Sequence, residues 1–238
     1  MLHDDNQHDD NDIHDIQLAV IDMAGTTVAD DGLVVASFEE AATVAGLPAT
    51  GPERERAREY VLDTMGQSKI TVFRALFGAE DIAQRANAAF ESAYETAIDN
   101  GHARPIDGAA EAITRLRDAG IKVALTTGFS GTTQEKILAA LGWQSLADVV
   151  LAPGDGVRGR PYPDLILTAL IRLQADAVTR VAALGDTSSD VDSALRAGCA
   201  IAAGTLTGAH TEPQLRAAGA THVVGSITDF ADLLLSHR

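Results

Sequence analysis

Residues 16–26 read Ile16-Gln17-Leu18-Ala19-Val20-Ile21-Asp22-Met23-Ala24-Gly25-Thr26, an apolar run that ends in an acid, a glycine and a hydroxyl. A short run with no polar face fits a strand covered on both sides. The same pattern recurs in IKVALTTG (121–128), ADVVLAPGD (147–155), VAALGDTSSD (181–190), CAIAAGT (199–205) and THVVGS (221–226). Helical spacing fills the gaps at Ala109–Ala119, Thr132–Leu141, Asp164–Leu173 and Ser189–Ala197, and Gly120, Gly142 and Gly198 stand where three of these helices should stop.

Strands alternating with helices of about ten residues predict an α/β fold with a doubly wound, Rossmann-like parallel sheet. In such a sheet the functional site lies at the carboxyl ends of the strands. One stretch breaks the alternation. Between Leu33 and Arg104 there are helical patterns at Val35–Ala45, Pro52–Leu62, Ser68–Phe77 and Asp81–Ile98, and no strand pattern. We read 33–104 as a helical cap inserted into a core made of 16–32 and 105–238, with residues 1–15 a disordered acidic tail. An insert leaving the active edge of a sheet is placed to act as a lid.

The chain has 238 residues, with 34 acidic side chains against 18 basic ones and a formal charge of −16. Six Asp in the tail account for part of that charge, leaving −10 for the rest. Such a charge argues against nucleic-acid partners and anionic membranes. No apolar stretch is long enough to span a bilayer, and no signal-peptide pattern opens the chain. A single cysteine, Cys199, excludes an internal disulfide and a thiolate zinc cluster. A cytoplasmic enzyme acting on a small molecule is expected. His3, His8 and His14 in the tail are candidate metal ligands with irregular spacing.

Asp22 ends the first strand, Thr126 the second, and Asp186 the fourth, with Asp190 four residues on. Arg160 sits in GRPYPD after the third. Taken singly, a carboxylate at a strand end is more often a turn former or a helix cap than a catalyst. Convergence on one sheet edge changes the reading. An oxygen nucleophile, hydroxyls beside backbone amides, a cation and two further acids supply what phosphoryl transfer needs.

DMAGT, TTG, the Arg of GRPYP and GDTSSD, in this order, resemble the haloacid dehalogenase superfamily from Ile16 to the end of the chain. The resemblance implies that Asp22 is the nucleophile that becomes an aspartyl-phosphate. Thr126 and its loop (Thr127, Gly128), with Ala24, Gly25 and Thr26, would hold the phosphoryl group. Arg160 would neutralise charge where most members have Lys. Magnesium would lie at Asp22, Ala24, Asp186 and Asp190. Most phosphatases of the superfamily have Asp two residues after the nucleophile, as acid and base for the leaving group and water. Here that position is Ala24, and a methyl group does neither.

DxAGT with Arg in place of Lys resembles the phosphonatase branch, which cleaves the carbon–phosphorus bond of phosphonoacetaldehyde. There a cap lysine in Met-Gly-x-x-Lys forms a Schiff base with the substrate aldehyde, and Met65-Gly66-Gln67-Ser68-Lys69 matches that motif. Arg cannot form an imine and Lys can, and only 3 of the 18 basic residues here are Lys. In that branch a His follows three residues after the lysine, where this chain has Val72. GTLTGAH (204–210) resembles a phosphonatase-like sister group, and His210 reads as a surface loop residue. Met65 could shield the lysine or fill the cap. Three readings follow: a magnesium-dependent phosphonatase-type hydrolase, a phosphatase of a small monoester such as a phosphoglycolate-type substrate, and an inactive phosphometabolite-binding protein. A homodimer through the cap is also open, with Val34 and Phe38 either on that face or in ordinary core.

Overall fold

The computed structural model describes residues 16–236, so the tail and its three histidines lie outside the described residues. β1 (Leu18–Asp22) is buried along its whole length. From it the chain passes into four helices, α1 (Leu33–Val44), α2 (Pro52–Asp63), α3 (Lys69–Phe77) and α4 (Glu80–Asp99). It returns through α5 (Ala109–Asp118) to β2 (Lys122–Thr126), then α6 (Gly131–Leu141), β3 (Val149–Leu151) and α7 (Asp164–Leu173). β4 (Val181–Gly185), α8 (Ser188–Ala197), β5 (Ile201–Thr205), α9 (Glu212–Ala217), β6 (His222–Val224) and α10 (Ile227–Leu235) complete it. The four expected helices of the insert are all present, with ends within two residues of the expected ones.

The six strands run parallel in the order β3-β2-β1-β4-β5-β6. From β1 the chain winds to β2 and β3 on one side, then to β4, β5 and β6 on the other. The strand order therefore reverses between β1 and β4, where open α/β sheets hold their ligands. Asp22 is the last residue of β1 and Asp186 follows the last residue of β4, so both acids stand at this crevice.

Side chains alternate along β1, and each face has its own core. Leu18 and Val20 pack with Leu165, Ile166, Val191, Ala194 and Leu215 of α7, α8 and α9. Ala19 and Ile21 belong to the larger cluster with Ile113, Leu116, Trp143, Ile227 and Phe230, which continues into the insert. Cys199 is half-buried just before β5, and burial pushes its thiol up to about 12, so it is an inert small side chain.

Val34 and Phe38 are buried in the insert's own core with Val61, Phe73 and Phe90, so this pair is core and not an exposed contact face. Burying each such side chain contributes about 1.5–3 kcal/mol. The two linkers of the insert run side by side. Ala29 N–H donates to Arg104 O at 2.9 Å, Ile106 N–H donates to Thr27 O at 2.9 Å, and Arg104 pairs with Asp31. On the far side α4 is tied to α6, with Thr133 Oγ1 donating to Glu91 at 2.7 Å and Lys136 Nζ 2.9 Å from Asp99. Among the described residues no helix is long and apolar enough to cross a membrane.

Candidate active site

The chain after Asp22 coils tightly. The N–H groups of Thr26, Thr27 and Val28 all point at Met23 O, at 3.1, 2.8 and 2.8 Å. Gly25 sits in this coil at φ +84, and a Cβ there would strike the Asp186 carboxylate. Positive φ and the close acid both demand glycine, which explains the Gly of DMAGT. Thr26 lies under the same acid, with its hydroxyl 3.5 Å from Asp186 Oδ1.

Arg160 organises the core end of the site. It is 5 % exposed, and its fork reaches four partners on four segments. Nη2 lies 2.6 Å from Asp22 Oδ1 and donates to Thr126 Oγ1 at 2.6 Å. Nε lies 2.7 Å from Asp190 Oδ1, and Nη1 donates to Gly66 O of the insert at 3.3 Å. A lysine has no such planar fork. The second carboxylate oxygen of Asp190 accepts from the Thr187 N–H at 3.1 Å and from the Thr187 hydroxyl, a capping box that opens α8. Both oxygens of Asp190 are thus engaged, and its carboxylate orients Arg160.

A cavity of about 250 Å³ opens above these groups. Asp22, Ala24, Met65, Gly66, Lys69, Thr127, Gly128, Arg160 and Asp186 line it. Thr126, Gly25, Thr26 and Asp190 do not line it and act from behind. Thr127 lines the cavity wall, its hydroxyl accepting from Phe129 N–H at 3.2 Å, while Thr126 braces Arg160. Thr207, Gly208 and Ala209, from the loop after β5, also line the cavity. Ala209 N–H donates to Asp186 Oδ2 at 2.6 Å, and Thr207 Oγ1 donates to Gly25 O at 2.7 Å. Sequence reading passed over these three; the one available signal was their place at a strand exit on the same sheet edge. His210, expected on the surface, is buried at 8 % exposure, and its Nδ1 accepts from Ser188 N–H at 2.9 Å. It braces the loop that carries Asp186.

Burial raises the Asp22 carboxyl above the usual carboxylate range, and Asp190 adds to this while Arg160 opposes it. Asp186 is also raised, by burial first and then by the charges of Asp22 and Asp190. One guanidinium leaves this pair short of positive charge, and a bound cation reverses the balance. Among the described residues no three His, Cys, Asp or Glu side chains cluster as a self-sufficient metal site. Magnesium suits such a place, because it is commonly held by one or two carboxylates with water and phosphate oxygens. The donors here, two carboxylates and the Ala24 main chain, are hard oxygens and fit it.

The insert supplies the other end. Lys69 opens α3, and its N–H donates to Gly128 O of the core at 3.3 Å. Its Nζ stands 5.4 Å from the Phe129 ring centre and 5.7 Å from that of Phe90. Burial lowers the pKa of this amine, against the pull of Asp30 and then Asp22. Val72 is buried beside it with Phe73. Met65 both lines the cavity and joins the apolar core. Gly66, at φ +82, rests on Thr187, where a Cβ would strike the hydroxyl. The glycine of Met-Gly-x-x-Lys thus lets the insert touch the core. Asp30, also unnoticed in sequence, lines the cavity on the linker into α1.

Comparison with known proteins agrees with this geometry. The sequence pattern of the haloacid dehalogenase-like hydrolases matches residues 16–198. The "Probable phosphatase IndB" of Dickeya dadantii is 28% identical over 216 residues, covering 89% of this chain and 90% of its own. A phosphonoacetaldehyde hydrolase of Bacillus cereus is 30% identical over 199 residues, covering 77% of this chain and 73% of its own. The solved structure of a phosphonoacetaldehyde hydrolase-like protein from Oleispira antarctica superposes with a TM-score of 0.79 at 21% identity, covering 94% of this chain and 92% of that one, which shows a shared fold. The chain belongs to the haloacid dehalogenase-like hydrolases, with phosphonoacetaldehyde hydrolases among its relatives.

Proposed function

We propose that this hydrolase is of the phosphonatase type and cleaves the carbon–phosphorus bond of phosphonoacetaldehyde or a related phosphonate. The observation that carries the reading is a half-buried lysine, Lys69, in one cavity with Asp22 and with its amine shifted toward the neutral form. An ordinary lysine is neutral in only about one molecule in 2500 at pH 7. A lowered pKa enlarges the fraction able to attack an aldehyde.

The neutral amine adds to the aldehyde carbon, water leaves and a proton is taken up from solvent, giving a protonated imine on Lys69. Asp22 then attacks phosphorus. The electrons of the carbon–phosphorus bond move toward the imine nitrogen, so the organic part departs as an enamine and the phosphoryl group stays on Asp22. No proton is required from position 24, which accounts for Ala24. Arg160 faces the phosphoryl oxygens, and Thr127 and the amides of its loop flank them. Protonation of the enamine carbon and hydrolysis of the imine free the aldehyde, and hydrolysis of the aspartyl-phosphate frees phosphate. Asp22, Asp186 and the Ala24 main chain would hold magnesium, which when bound would supply positive charge at the phosphoryl group. We propose that residues 33–104 act as the cap over this chemistry and that the enzyme works in the cytoplasm.

The relative named as a phosphatase, and the apolar Val72, favour a second reading as a phosphatase of a small monoester, with Lys69 as an anion ligand. Phosphonoacetaldehyde with magnesium, read by phosphate release and by borohydride trapping, separates the two. We expect release and a reduced adduct on Lys69, with Lys69→Arg at background in both. Release that survives in Lys69→Arg would overturn the imine step, and the absence of both release and adduct would pass the function to the monoester reading.

A further inference from the structure

Asp30 lies on the linker into α1, and both of its carboxylate oxygens are held. Gly32 N–H donates to Oδ2 and Val34 N–H to Oδ1, each at 3.2 Å. A carboxylate gripped by the first turn of a helix keeps its position, and these N–H groups, with Lys69, oppose the rise that burial gives its pKa. Asp30 lines the same cavity as Lys69, on the linker between β1, which ends at Asp22, and α1. Among the charges around Lys69, it acts more strongly than Asp22, Arg160 or Asp186. The neighbouring acid Asp31 also reaches the cavity wall, but Arg104 pairs with it. The remaining neighbours of Lys69, Phe90, Phe129 and Val72, carry no charge.

The insert end therefore holds one fixed negative charge beside one positive charge. A lone lysine there would favour substrates with a second anion. With Asp30 beside it that advantage is cancelled, and an uncharged carbonyl or hydroxyl meets a neutral site.

We propose that Asp30 is a specificity-determining residue, a charge filter at the leaving-group end that selects phosphonates or phosphate esters whose other end is an uncharged carbonyl or hydroxyl and turns away those carrying a second carboxylate. The inference rests on the phosphoryl group lying at Asp22, as in the reading above, and it holds whether or not Lys69 forms an imine.

Calorimetric binding of two phosphonates at pH 8 with magnesium tests it. The pair is 2-hydroxyethylphosphonate, with an uncharged end, and phosphonoacetate, with a carboxylate. The wild-type enzyme should bind the hydroxyl compound about tenfold tighter. Asp30→Asn removes the charge and retains a capping side chain. It should tighten phosphonoacetate about tenfold and leave 2-hydroxyethylphosphonate within about twofold. Asp30→Ser, another capping residue, should behave like Asp30→Asn, and Asp30→Glu should keep the wild-type preference. A preference that neither neutral variant moves would overturn the filter alone and reduce Asp30 to a helix cap. Failure of the wild type to bind either phosphonate would overturn the phosphoryl reading of Asp22 together with the filter.

Discussion

At the core end of the cavity, Asp22, Arg160, Asp190 and Asp186 are held by short polar contacts between segments fixed at the sheet edge. At the insert end, Lys69 stands among Phe90, Phe129 and Val72, with Asp30 the strongest opposing charge. The first end is rigid and rich in charge, and it suits a phosphoryl group whose charge stays much the same from one substrate to the next. The second is apolar, and its one cation is shifted toward neutrality by burial. On the proposed reading that contrast separates two tasks: the sheet edge would bind the phosphoryl group, and the end with Lys69 and Asp30 would select the rest of the substrate. Five of the chain's 6 phenylalanines lie in one aromatic chain running from Phe38, Phe73 and Phe77 through Phe90 to Phe129. This chain carries the insert's packing onto the core loop that bears Thr127.

The contrast breaks first at Arg160. Arg160→Lys keeps the charge and loses the fork, so Asp190 and Asp22 can no longer be bridged together. We expect phosphate release to fall about 10²–10³-fold in kcat/KM, and stability by about 1–3 kcal/mol, read by steady-state assay and urea unfolding. A variant within about threefold of wild type would show that a point charge suffices there.

Gly66→Ala tests the seam between the two ends. The added methyl strikes Thr187 at a positive φ, so the insert must lift away from the core. A loss of about tenfold in kcat/KM with a stability change near 1 kcal/mol is expected. Unchanged kinetics would mean that this contact does not position Lys69.

The smallest effect sharpens the insert end. Burial lowers the Lys69 pKa, so the neutral amine becomes available at lower pH than in a solvated lysine. Borohydride-trapped aldehyde adduct on Lys69 should form faster as pH rises, with a midpoint below the ordinary 10.5. A midpoint at or above 10.5 would place this amine in water or in a dominant ion pair.

Much of the site was legible because strand exits are legible. A continuous apolar run followed by an acid or hydroxyl marks both a buried strand and its carboxyl end. Asp22, Thr126 and Asp186 could therefore be placed on one edge before any contact was known. Which of two adjacent threonines lines the cavity was not legible. The β1–β2 pairing ends at Asp22 against Thr126 and sets both side chains at Arg160, while Thr127 follows the strand into the cavity wall. His210 was misplaced for a similar reason: a polar residue beyond a strand reads as surface, and only the fold of the 205–210 loop brings it under Ser188. Asp30 in ADDGL raised no expectation; it accepts from the N–H groups of Gly32 and Val34, and its place in the cavity depends on where the insert comes to rest.

The sequence by itself determined the doubly wound parallel sheet, the four helices that follow β1 and the short list of groups at the sheet edge. Each of these follows from local periodicity and from strand and helix ends, which neighbouring residues dictate. The tertiary structure alone decided that Asp190 serves Arg160, that the 207–209 loop closes over Asp186, and that Asp30 and Lys69 share one end of a cavity. Those relations join segments far apart in the chain, and their geometry is set by how the packed faces meet.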